Sequence, residues 1–169
     1  MADISKFLPK LFRVEGGFVN DPDDCGGATN KGITIAVFRS FYGKDKTVTD
    51  LKNITTAQAT KIYKTNYWDK CKADDIKSQS VAELLVDFAV NSGVATAAKK
   101  IQSLVGTTID GKIGPKTIEA INNKKSETLF NELHDVRVAY YKAIVARKPS
   151  QQKFLKGWMT RLKIYKYED

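Results

Sequence analysis

The spacing of the apolar residues constrains this chain most: they recur three and four positions apart in segment after segment, without a convincing run of strict alternation. Ile4, Phe7, Leu8, Leu11 and Phe12 form one stripe of an amphipathic helix that Gly16-Gly17 should end. Thr34 is placed to cap a short helix holding Ile35, Val37, Phe38 and Phe41, closed by Gly43. After a polar connector, Thr55-Thr56-Ala57-Gln58 reads as a capping box opening a helix to about Trp68. The clearest stripe, Val81, Leu84, Leu85, Phe88 and Ala89, lies in residues 79–92 and stops at Gly93. A helix over roughly 95–105 leads into a turn-rich hinge with Gly106, Gly111 and Gly114, and Pro115 suits the first position of the next helix. Leu129, Leu133, Val136, Tyr140 and Ala143 mark a long helix over about 126–147. Pro149 breaks it, and a last helix near 151–165 carries Phe154, Leu155, Trp158, Leu162 and Tyr165. The expected fold class is mainly α, with at most short extended pieces in the loop after the first helix.

A chain of 169 residues is long enough to bury a core without covalent staples. No apolar block is long enough to span a membrane, and the start lacks the pattern of a conventional signal peptide. Synthesis in the cytoplasm and export by another route, holin-like or otherwise, are therefore expected. Cys25 and Cys71 are too few for a disulfide framework, leaving either two free thiols or one bridge. With His134 they make a poor metal-ligand set, so no metal is expected. Charge is unevenly placed. Residues 1–90 hold 13 Lys+Arg against 12 Asp+Glu, and residues 91–169 hold 15 against 7. A basic C-terminal half suits an anionic partner, or is simply a solvated face. Nucleic acid is not expected, because there is no clear helix-turn-helix pattern and the positive charge is not interleaved with aromatics in one element.

The loop "VEGGFVNDPDDCGGATNKGIT", residues 14–34, concentrates carboxylates beside turn-formers. Glu15 falls in the last turn of the first helix, close to its apolar stripe, where the negative end of the helix dipole disfavours another anion. A surface glutamate serving only the helix would stand near its N-terminus. Asp21, Asp23 and Asp24 follow six to nine residues later, and the glycines between permit a reversal that brings one of them to face Glu15. Two carboxyls across a gap are the minimum equipment for cleaving a glycosidic bond. Asn20, Thr29, Asn30 and Thr34 add amide and hydroxyl groups able to place a water or a sugar. On these residues alone a plain Asp/Gly surface turn and a calcium loop remain open, although the spacing is not that of an EF-hand.

The stretch "EGGFVNDPDDCGGATNKGIT" resembles the signature of glycoside hydrolase family 108, bacterial and phage N-acetylmuramidases, in which Glu-Gly-Gly opens the motif and Asp-x-Gly-Gly-x-Thr-x-x-Gly follows. "IYKTNYWDKC" and "LLVDFAVNSG" resemble further family segments, and "DGKIGPKTIEAIN" is similar to the predicted peptidoglycan-binding region that commonly follows. Many relatives carry proline where this chain has Cys25. The resemblance implies a lysozyme-like helical fold with a substrate cleft and two closely packed helical subdomains, residues 1–91 catalytic and 92–169 wall-binding. It places the catalytic acid on Glu15, the second carboxyl on Asp24 and the motif threonine on Thr29. The same Glu–Asp–Thr order occurs in phage-type lysozymes.

Under this reading Tyr67 and Trp68 offer aromatic faces to sugar rings, with core packing as the alternative. Asp87 and Asn91, four apart on one helix face, either contact the sugar or form a solvated polar face. The expected activity is cofactor-free hydrolysis of the β-1,4 bond between N-acetylmuramic acid and N-acetylglucosamine by a monomer acting on the cell wall, as endolysins do. The competing expectation is a non-catalytic peptidoglycan-binding module.

Overall fold

The computed structural model describes residues 1–21 and 27–169. Asp23, Asp24 and Cys25 fall outside the described residues. Among those described the fold is mainly α, as the periodicity implies, and it packs as two compact units. One comprises Ser5–Asn66; the other joins Met1–Ile4 to Tyr67–Asp169.

In the first unit, α1 (Ile4–Glu15) carries Phe7, Leu8 and Leu11 into the core on the predicted stripe. It runs through Pro9, whose missing N–H removes one intrahelical bond. After α1, Val19 forms an isolated antiparallel bridge with Thr29, each N–H reaching the other's carbonyl at 2.8 Å. Thr29 and Asn30 (β1) then pair with Ile33 and Thr34 (β2). The two residues between them, Lys31 (φ 51°) and Gly32 (φ 76°), both take positive φ. This is the requirement of a two-residue type I′ turn, whose twist matches the hairpin.

Helix α2 (Ile35–Tyr42) starts as predicted, with Thr34 as N-cap accepting from the Val37 N–H at 3.2 Å. Thr34→Ala should cost about 1 kcal/mol, a melting-temperature loss of about 2–4 °C; a thermal melt checks it. The "polar connector" holds a short helix, α3 (Val48–Lys52), opened by a capping box between Thr47 and Asp50. Asn30 is 7% exposed and sends its Nδ2 to the carbonyls of Leu51 and Lys52 at 3.1 and 3.0 Å. It thereby adds a second bond to the Leu51 carbonyl, which already accepts from the Ile54 N–H at 3.1 Å, and ties the hairpin to the end of α3. Helix α4 (Thr56–Tyr63) opens with the predicted Thr55–Gln58 box. Its continuation, Lys64–Trp68, widens into a π-helical turn.

The second unit is built around α5 (Gln79–Ser92), in which every residue from Ser80 to Ala89 is buried. Helices α6 (Val94–Val105) and α8 (Ser126–Arg147) pack on it and on each other. Helix α7 (Pro115–Asn123), with Pro115 at its start, packs on α6 and α8, and α9 (Gln152–Leu162) packs on α8. The "hinge" before α7 is pinned by Gln102, which is 1% exposed. Its Nε2 donates to Asp110 Oδ1 and to the Lys112 carbonyl, both at 2.9 Å, while its Oε1 accepts from the Gly111 N–H at 3.0 Å. The last helix stops at Leu162, so Tyr165 lies beyond it, though still buried.

Candidate active site

Glu15 is the last residue of α1 and is half-buried. Its carboxyl lies against the hairpin turn. A Cβ added at Gly32 would stand 2.8 Å from Glu15 Cδ, with Oε2 closer still, and 2.6 Å from the hydroxyl oxygen of Tyr63. A side chain there would have to push the carboxyl or the hydroxyl aside. Gly32 is thus favoured twice, for its positive φ and for the room it leaves these two groups.

Tyr63, 3% exposed at the end of α4, packs its ring on Phe12 of α1 at 6.1 Å between centroids. Its hydroxyl donates to the Lys31 carbonyl. Phe12 stands one turn before Glu15 on the same face. On the hairpin side, Lys31 Nζ lies 5.2 Å from the Phe12 ring centroid, within cation–π range. Among the described residues, one helix end, one hairpin turn and one tyrosine therefore meet at the Glu15 carboxyl. Thr29 is half-buried, with its backbone committed to the bridge with Val19. Asn20 is exposed just after that bridge, and Thr34 is occupied as a helix cap. Sequence reasoning missed Gly32 and Tyr63 as neighbours of Glu15. The sequence carried a signal only for Gly32, because Asn30-Lys31-Gly32 is a short turn pattern ending in glycine.

The four predicted sugar-contacting residues beyond the hairpin need correction in two cases. Trp68 is 0% exposed, and its Nε1 donates to Asp74 Oδ1 at 2.7 Å, so its ring offers no face to a ligand. Tyr67 is half-buried. Asp87 is also 0% exposed and is enclosed by cations. Arg137 Nη2 donates to its Oδ2 at 2.6 Å, Arg161 Nη2 to its Oδ1 at 2.9 Å and the Tyr165 hydroxyl to its Oδ1 at 2.9 Å. Burial, and then the neighbouring carboxylate, push the Tyr165 phenol far above its ordinary range. Asn91 is half-buried, and its Oδ1 accepts from the Tyr141 hydroxyl at 2.5 Å, which in turn accepts from Arg137 Nε at 2.8 Å. Asp87 and Asn91 do share a helix face, and that face meets α8.

Cys71 is free and fully buried, and burial pushes its thiol up to about 12. A buried thiol held protonated in this way is no nucleophile.

The family model described as Glycosyl hydrolase 108 matches residues 8–93, just over half of the chain. This chain belongs to glycoside hydrolase family 108. Its family match encloses Glu15, Thr29, Gly32 and Tyr63. A second model, described as Predicted Peptidoglycan domain, matches residues 96–163. Among solved structures, Brucella abortus SagA is 39% identical, with 94% of this chain and 88% of that chain covered and a TM-score of 0.78. Comparison with curated proteins gives no match. The family 108 assignment makes the chain a glycoside hydrolase, and the two matches together make it a peptidoglycan hydrolase. No helix among the described residues is long and apolar enough to cross a membrane.

Proposed function

We propose that the chain is an N-acetylmuramidase, cleaving the β-1,4 bond between N-acetylmuramic acid and N-acetylglucosamine with Glu15 as general acid. The observation that carries this reading is the seat of Glu15, a half-buried carboxyl at a helix end, set against the bare Cα of Gly32 and the Tyr63 hydroxyl. The Glu15 proton passes to the glycosidic oxygen as the bond to the anomeric carbon breaks. Positive charge then develops on the sugar ring, and Asp24 is the group to stabilise it or to activate the incoming water. Water supplies the hydroxyl to the anomeric carbon. Thr29, on β1, is assigned to place that water or the substrate.

Residues 1–91 would carry the chemistry and residues 92–169 would hold the wall. The excess of 15 Lys+Arg over 7 Asp+Glu in residues 91–169 supports retention on an anionic polymer. Action in the cell wall after export, as a monomer, completes the reading.

Mass spectrometry of digested peptidoglycan tests the bond. Fragments with N-acetylmuramic acid at the reducing end are expected. N-acetylglucosamine at that end would assign the cut to the other linkage. Retention on insoluble wall without release of any reducing sugar would leave a binding module only.

A further inference from the structure

Tyr63 stands outside the acid–water chemistry, yet its hydroxyl ends beside the acid. The ring is fixed from one side by Phe12, and the hydroxyl gives its only proton to the Lys31 carbonyl. Both the hydroxyl oxygen and the Glu15 carboxyl lie within 3 Å of where a Gly32 Cβ would stand. A methyl group at Gly32 would collide with both the carboxyl and the hydroxyl. A glutamate at the end of a helix otherwise has three torsions to explore, whereas proton donation to a bridging oxygen requires one of them.

We propose that Tyr63 is a positioning residue for Glu15. Its hydroxyl and the bare Cα of Gly32 form two walls of a seat that holds the carboxyl in its proton-donating orientation. The π-helical turn that begins at Lys64, directly after Tyr63, is the kind of local widening found at functional sites. This inference rests on the reading of Glu15 as proton donor.

Tyr63→Phe keeps the ring on Phe12 and removes only the hydroxyl. On solubilised peptidoglycan strands, kcat should fall by about 10- to 100-fold, with KM, retention on insoluble wall and melting temperature near those of the parent. Gly32→Ala should lose kcat at least as severely, since its methyl would occupy the place of the carboxyl. Gly106 supplies the control for backbone strain: it shares φ 76° with Gly32, but a Cβ there meets nothing within 4 Å. Gly106→Ala should therefore lower the melting temperature and leave kcat unchanged.

Parental kcat in Tyr63→Phe overturns the proposal. So does a fall in kcat matched by a rise in KM and a lower melting temperature, the signature of a merely structural tyrosine. Equal kcat losses in Gly106→Ala and Gly32→Ala would also overturn it, by assigning the effect to strain. Glu15→Gln in the same assay separates the two claims. If that variant is inactive while Tyr63→Phe is fully active, only the seat fails; if it turns over normally, the reading of Glu15 itself fails.

Discussion

Glutamine at position 15 should abolish the clearing of peptidoglycan suspensions and leave the thermal melt where it was. The amide matches the carboxyl in shape, so it fits the space above Gly32 and beside Tyr63 without moving the hairpin. It has no proton of suitable acidity to give to a glycosidic oxygen. Loss of a positioned general acid is worth about 10²–10⁴-fold, enough to take turbidity clearing to background at ordinary enzyme concentration. Clearing at near the parental rate by a well-folded Glu15→Gln protein would remove Glu15 from the chemistry. A lowered melting temperature would instead show that the carboxyl was supporting the turn.

Alanine at position 87 should have the largest effect on stability. Asp87 accepts from two guanidiniums, and one of them, Arg137, has no exposed surface. Removing the carboxylate leaves that cation buried without a counter-charge, at a cost of about 3–5 kcal/mol. For a chain of this size the melting temperature should fall by roughly 10 °C or more, read by calorimetry. Turnover measured well below that transition should remain close to parental, because Asp87 faces α8 and not a ligand. A melt left in place together with a raised KM would return Asp87 to the sugar-contacting role that its polarity first suggested. Asp87→Ala combined with Arg137→Met should recover much of the loss, since it removes the orphaned charge along with its partner.

Much of the helical framework was legible because helix signals are local. The stripe of α1, the caps at Thr34 and Thr55, the stop at Gly93 and the proline at the head of α7 are each written within a few residues. Helix α3 was lost in a polar stretch because five residues are too few to show a period, although Thr47-x-x-Asp50 announced its cap. The catalytic assignment of Glu15 came from its place at a helix end and from a motif. What surrounds it comes from Tyr63, nearly fifty residues away, and no spacing rule connects the two. The polar residues of α5 were misread for a related reason. A helix buried on all sides has no solvent face, so Asp87 had to find its partners inside the protein, on α8 and beyond. Arg137 and Tyr141, themselves four apart, were the matching half of that pattern.

Those matched spacings have a consequence for how α5 and α8 find one another. Asp87 meets Arg137 and Asn91 meets Tyr141, two rungs one helical turn apart on both partners. The surrounding leucines, valines and alanines would tolerate a slide of one turn nearly as well as the native alignment. The rungs would not, because a slide in either direction parts Asp87 from Arg137 and Asn91 from Tyr141. The polar pair thus works as a vernier, rejecting alignments that greasy contacts alone would accept.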